Sequence, residues 1–277
     1  MAAVLFVALA AAGCSTKQTS PAESCDNGGT DLIAFASDRG HHGQYDLYRY
    51  DTEGGGYRLL RNLNNAIVSD SSPSLSGDDQ LIAFVSPRGT SGTDILMYAR
   101  ASCSFVGLQG ANSAGNETDP AFSGEISRLL FVRDTLGHRR IRMVNAGTVS
   151  FVPLPGLDTL AAFDDWSPAP DHTGDNLIFV SDRDGSPHLY LYERAARRVD
   201  TLDATRQAVP LPGVNSTRDE RHPSISSTGT MLAYQSDSSA AGGWSVRFSC
   251  VGGSTAPQMV ARMDTAANDV QPSVVFH

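Results

Sequence analysis

Asp165 to Glu193, DWSPAPDHTGDNLIFVSDRDGSPHLYLYE, is built from three pieces. A Pro-led extended segment comes first, a polar Gly-containing turn second, and an apolar run from Leu177 to Val180 third. Four apolar residues between turn signals fit a strand buried on both faces. After Ser181 the alternation His188-Leu189-Tyr190-Leu191-Tyr192 fits a neighbouring strand, and Asp182-Arg183-Asp184-Gly185 fits the hairpin between them.

The same unit recurs along the chain. Its Pro stands at Pro73, Pro120, Pro168, Pro223 and Pro272, at intervals of 47, 48, 55 and 49 by subtraction. The apolar run returns as Leu32-Ile33-Ala34-Phe35, Leu81-Ile82-Ala83-Phe84, Leu129-Leu130-Phe131, Leu177-Ile178-Phe179 and Leu232-Ala233-Tyr234. A second strand follows each run: Leu47 to Tyr50, Ile95 to Tyr98, Ile141 to Val144, Leu189 to Tyr192 and Val246 to Phe248. Repeats of roughly 40 to 50 residues made only of strands and turns are the signature of propeller blades.

These units resemble the β-propeller repeat of TolB-like proteins. That repeat runs Pro-x-x-Ser-Pro-Asp-Gly, an Ile-Ala-Phe strand, Ser-Asp-Arg and an Asp-Ile-Tyr strand. The resemblance covers about residues 31–277, with the turn altered to Ser76-Gly77-Asp78-Asp79, Ser123-Gly124-Glu125 and Ser226-Ser227-Thr228-Gly229. TolB-like proteins also carry an α/β domain ahead of the propeller; the residues before Asp31 leave no room for one, so the resemblance is to the propeller alone.

The expected fold is all-β, a propeller of five four-stranded blades spanning residues 31–277. The copy at Asp31 has an apolar strand with no Pro-led strand before it, and the last copy, Asn268 to His277, has a Pro-led strand with nothing after it. The two pieces are complementary, so the C-terminal strand should close the ring and leave no open edge. Six blades, the alternative, would need a hidden blade in the interval from Pro168 to Pro223, which has too little slack.

Residues 1–13 form an uncharged, apolar segment too short to span a membrane and fit a secretory signal. It ends at Ala11-Ala12-Gly13-Cys14, which looks like a bacterial lipobox, with Ala11 where Leu is usual and no Lys or Arg before the run. Cys14 is thus expected to be lipid-modified and residues 14–30, polar with Pro, Gly and Ser, to be a flexible tether. Ser15 after the Cys resembles lipoproteins sent to the outer membrane. The chain carries 21 Lys and Arg against 30 Asp and Glu, a net charge of −9. Such a body offers no footprint for nucleic acid and is repelled by anionic membranes, leaving the lipid as its membrane attachment.

An acid stands three residues before every repeat Pro: Asp70, Glu117, Asp165, Glu220 and Asp269. Inner strands begin at one mouth of a propeller channel, so the acids would converge there, either as a site for a cation or basic peptide or as caps of backbone turns. Two before the Pro stand Ser71, Thr118, Trp166, Arg221 and Val270. Trp166 and Arg221 would lie side by side near the mouth, either as a binding pair or with Trp166 filling an inter-blade groove. Besides Cys14 there are Cys25, Cys103 and Cys250. In an oxidising compartment one pair and one spare thiol are expected. Cys25 lies on the side of both others, with a lean to Cys25–Cys250. The sequence contains no Gly-x-Ser-x-Gly elbow, phosphate loop or metal-ligand spacing, and neither a cofactor nor a resident metal is expected.

The expected function is that of a lipid-anchored, monomeric envelope protein, at the outer membrane facing the periplasm. Its propeller would bind an envelope protein, a basic peptide segment or another ligand without catalysis. The alternative is a glycosidase-like carbohydrate-active enzyme using channel carboxylates in unequal environments.

Overall fold

The structure is a computed structural model. It describes residues 32–41, 44–51, 56–89, 92–108, 110–124, 128–155, 157, 162–193, 209–210, 219–225, 231–237, 245–250 and 258–259. The expectations for Cys14, Cys25, Asp269, residues 1–30 and the C-terminal strand lie outside these residues.

Every regular element described is a strand, and the strands form five antiparallel sheets. The first contains β1 (Leu32–His41), β2 (Gln44–Asp51) and β3 (Gly56–Leu59). The second runs β4 (Ser71–Leu75), β5 (Leu81–Ser86), β6 (Asp94–Ala99) and β7 (Ser104–Val106). The third runs β8 (Glu117–Phe122), β9 (Arg128–Thr135), β10 (His138–Asn145) and β11 (Ser150–Phe151). The fourth has β12 (Asp165–Pro170), β13 (Asn176–Ser181), β14 (His188–Glu193) and β15 (Val209–Pro210). The fifth has β16 (Glu220–Ile225), β17 (Met231–Ser236), β18 (Ser245–Cys250) and β19 (Gln258–Met259). Each sheet is a simple meander. The apolar runs are β1, β5, β9, β13 and β17, and four of the repeat prolines lie within β4, β8, β12 and β16.

Leu177, Ile178, Phe179 and Val180 are at most 1% exposed, so β13 is covered on both faces. The covering comes from neighbouring sheets. One apolar cluster joins Val132 and Ile141 of the third sheet to Ile178 and Leu189 of the fourth and Leu232 and Tyr234 of the fifth. Two others bridge the second and third sheets, and the first and second. The first strand of each four-stranded sheet is the inner one: β4 packs on β1 and β8, β8 on β12, and β12 on β16.

Tight seams also link neighbouring sheets through backbone. The Phe122 amide donates to Ser74 Oγ across β8 and β4 at 3.0 Å. A Cβ on Gly77 would lie 2.0 Å from the Gly124 carbonyl oxygen, so these hairpins meet only because no side chain intervenes.

Each inner strand is bulged at its proline. Pairing slips between Ser71 and Ser74, Thr118 and Ala121, Trp166 and Ala169, and Arg221 and Ser224. Proline has no N–H for the ladder, and a bulge removes it with one neighbour. The neighbour is the preceding residue, and in all four copies it is left-handed: Ser72, Asp119, Ser167 and His222 have φ of 49°, 50°, 48° and 47°. Proline's ring disfavours the right-handed helical region there.

Leu136 is strained without such a repeat. The β9–β10 hairpin turns on Leu136-Gly137, both at positive φ, and Leu136 is 84% exposed. Leu136→Asn, suited to this turn, should raise stability by about 1 kcal/mol in urea denaturation. A loss would show that the leucine makes a contact the fold depends on.

Candidate functional site

The acids at the inner-strand starts are buried. Asp70, Glu117 and Glu220 are 0% exposed and Asp165 is 1% exposed. Three are held by an arginine from the end of the neighbouring strand or just beyond it. Arg88 Nη2 lies 2.5 Å from Asp70 Oδ2, Arg133 Nε 2.9 Å from Glu117 Oε1 and Arg183 Nη2 2.8 Å from Asp165 Oδ1. The arginines also reach the connections leading into these strands: Arg88 donates to the Leu63 carbonyl, and Arg133 to those of Gly110 and Ala111.

Aromatic rings cover the guanidinium groups. Arg88 lies over Phe84 and Phe105, Arg133 over Phe131 and Phe151, and Arg183 over Phe163, Phe179 and Tyr190. This explains Phe105 and Phe151, which stand half-exposed on outer strands: one face of each ring holds a cation. Burial pushes the Asp165 carboxyl above its ordinary range, and Arg183, Ser181 and Arg140 offset this only in part. The four acids are thus buried, and Asp70 and Glu117 also cap backbone turns, accepting from the Asn65 amide at 3.0 Å and the Ser113 amide at 3.1 Å. Three of them clamp strand, loop and arginine together.

Glu220 departs from the pattern. Ser238 occupies the place that Arg88 and Arg183 hold after their serines. Ser236 Oγ donates to Glu220 Oε1 at 3.3 Å, and His188 Nε2, from the fourth sheet, lies 3.9 Å from Oε2. The His188 ring is held at its other nitrogen by Asp184 Oδ2 at 2.7 Å.

Trp166 is 9% exposed and belongs to the apolar cluster between the third, fourth and fifth sheets. The Arg139 guanidinium lies 3.9 Å from its ring centroid. Arg139 and His138 both bond Asp164, at 2.8 and 3.1 Å. Burial works against the Asp164 charge, but the bonds from Arg139 and His138 outweigh it and hold the carboxyl below its ordinary range. Trp166 thus packs among side chains of neighbouring sheets. Arg221 bonds Asp219 Oδ2 at 2.7 Å.

The residues just before the prolines escaped the sequence reading. Ser167 N and Oγ donate to Asp119 Oδ2 at 3.0 and 3.3 Å, tying β12 to β8. Burial pushes the His222 imidazole below its ordinary range, opposed by the nearby Asp119 charge and reinforced by Arg221. The signal was present as a position that changes from copy to copy immediately before a constant proline.

Cys103 is disulfide-bonded, so it is a paired cysteine and not the spare thiol; the side chain that it joins lies outside those described. Among the described residues, no group of three or more His, Cys, Asp or Glu is arranged to hold a metal ion. No described helix is long and apolar enough to cross a membrane.

No protein-family model matches the sequence, and no curated protein matches it. Among solved structures it is similar to TolB from Acinetobacter baumannii, with TM-score 0.61 and 19% identity over 83% of this chain and 52% of that one. It is also similar to a chain of a nidogen–laminin complex, with TM-score 0.58 and 10% identity over 91% and 81%. A puromycin-hydrolyzing peptidase of Mycobacterium tuberculosis matches with TM-score 0.53 and 16% identity over 82% and 35%. The chain thus spans about half the length of the TolB that it matches. Identities this low speak to fold alone, and on that ground the chain is similar to TolB as an all-β protein of propeller type.

Proposed function

We propose that this chain is an exported, lipid-anchored envelope protein whose propeller is a non-catalytic scaffold, capturing a protein or peptide on the side of its inner strands. In this reading the ring has five blades. The C-terminal strand, Pro272 to Phe276, pairs into the blade begun by β1 and closes the ring. Cys14 carries the lipid, and the body faces the periplasm at the outer membrane as a monomer.

The observation that carries the function is a contrast within the same four strands. The acid three before each proline is constant, buried and structural, whereas the bulged residue before the proline varies as Ser72, Asp119, Ser167 and His222. Constant supports with a variable lining fit selective recognition better than support alone. Likeness in fold to TolB supports the reading. A glycosidase would need carboxylates that substrate can reach, and the arginine-clamped acids are buried.

Two measurements test this. Cys14→Ser should move the protein from the membrane fraction to the soluble one, because the lipid is its only anchor; retention in the membrane contradicts the anchor. Cross-linking in intact cells should capture a partner, and Asp119→Asn with His222→Gln should lower that capture at unchanged melting temperature. Undiminished capture would move the interface off the inner strands.

A further inference from the structure

Asp119 meets Ser167 with one carboxylate oxygen only. Both described hydrogen bonds end on Oδ2, and Oδ1 has no donor among the described residues. His222 makes no hydrogen bond among them, although Asp119 is near enough for its charge to act on the imidazole. Asp119, Ser167 and His222 are each partly accessible and come from three consecutive inner strands, β8, β12 and β16. Arg221, the nearby cation, is engaged with Asp219.

All three are held at positive φ, a region that asparagine or glycine enters more readily than histidine or serine. A bulge needed only to accommodate proline does not call for a carboxylate with one oxygen that no described donor meets, close enough to an imidazole for its charge to act on it. We propose that Asp119, Ser167 and His222 form a subsite for one cationic group with N–H donors, a guanidinium or an ammonium such as an arginine or lysine side chain. Asp119 supplies the charge and an acceptor, the Ser167 hydroxyl a second acceptor, and an unprotonated ring nitrogen of His222 a third. An anion would meet the Asp119 charge, and a neutral ligand would leave it unmatched. The inference rests on the proposed inner-strand binding surface and names what that surface recognises.

The test uses the whole soluble chain and a blocked Gly-Arg-Gly tripeptide, with its citrulline counterpart as a neutral analogue of the same shape. Binding is read from the imidazole proton resonances of His222. The arginine peptide should shift them saturably, and the citrulline peptide at least about tenfold more weakly. Asp119→Asn, which keeps an acceptor for Ser167 and tolerates the same backbone, should melt like the parent and lose about tenfold or more in affinity. Equal binding of the two peptides, parent-like binding by Asp119→Asn, or no saturable shift up to about 20 mM would each overturn the subsite. Partner capture separates the two readings. If the tripeptide fails but capture still falls on changing Asp119 and His222, the surface stands and its cationic ligand does not. If capture is unchanged as well, the surface itself is wrong.

Discussion

Deletion of residues 270–277 is expected to abolish cooperative unfolding at the parent temperature. The first sheet has three described strands where the other four have four, and β1 pairs only with β2 among the described residues. If the C-terminal strand completes that sheet, deletion exposes the edge of β1 and removes Val274, Val275 and Phe276 from the inter-sheet core. Burying such side chains contributes about 1.5–3 kcal/mol each, so the loss is roughly 4–9 kcal/mol against a total of about 5–15 kcal/mol. The truncated chain should also aggregate, because an unpaired strand is a template for another chain. Calorimetry and gel filtration would show both effects. A truncated chain that stays monodisperse and melts like the parent would contradict closure.

Arg183→Ala should cost about 3–5 kcal/mol in urea denaturation, as when one partner of a buried ion pair is lost. Asp165 is 1% exposed and would lose the guanidinium 2.8 Å away. The arginine also packs against Phe163, Phe179 and Tyr190, and those ring contacts would go with it. Replacing both partners, as Asp165→Leu with Arg183→Met, should recover much of the loss, because no uncompensated charge is left behind. A single-variant loss below about 1 kcal/mol, the level of an exposed pair, would show that the clamp does not hold the sheet.

Much of the fold was legible because its signals are local. Leu177 to Val180 is apolar on both faces and bounded by turns, and the prolines mark the phase of each copy. Side-chain direction was not legible. Alternation along a strand predicts facing only while pairing is regular, and each inner strand slips at its bulge between the acid and the core residues that follow. Whether the acids face the channel or the protein was therefore open between the two readings, and the four described are buried. Their partners were nonetheless encoded: Asp70 to Arg88 and Asp165 to Arg183 share a separation of 18 residues. Trp166 was read beside Arg221 from the order of copies, but Arg139, the cation over its ring, comes from β10 of the preceding sheet. Only packing between sheets reveals such a contact.

Amide hydrogen exchange along β1 tests the closed ring most directly. β5, β9, β13 and β17 are paired on both sides, and an amide paired to a neighbouring strand exchanges only when the structure opens. In a closed ring, successive amides of β1 should be protected as evenly as those of β5. Rapid exchange at every second amide of β1, the pattern of an edge strand, would contradict the ring and the inner surface proposed to bind the partner.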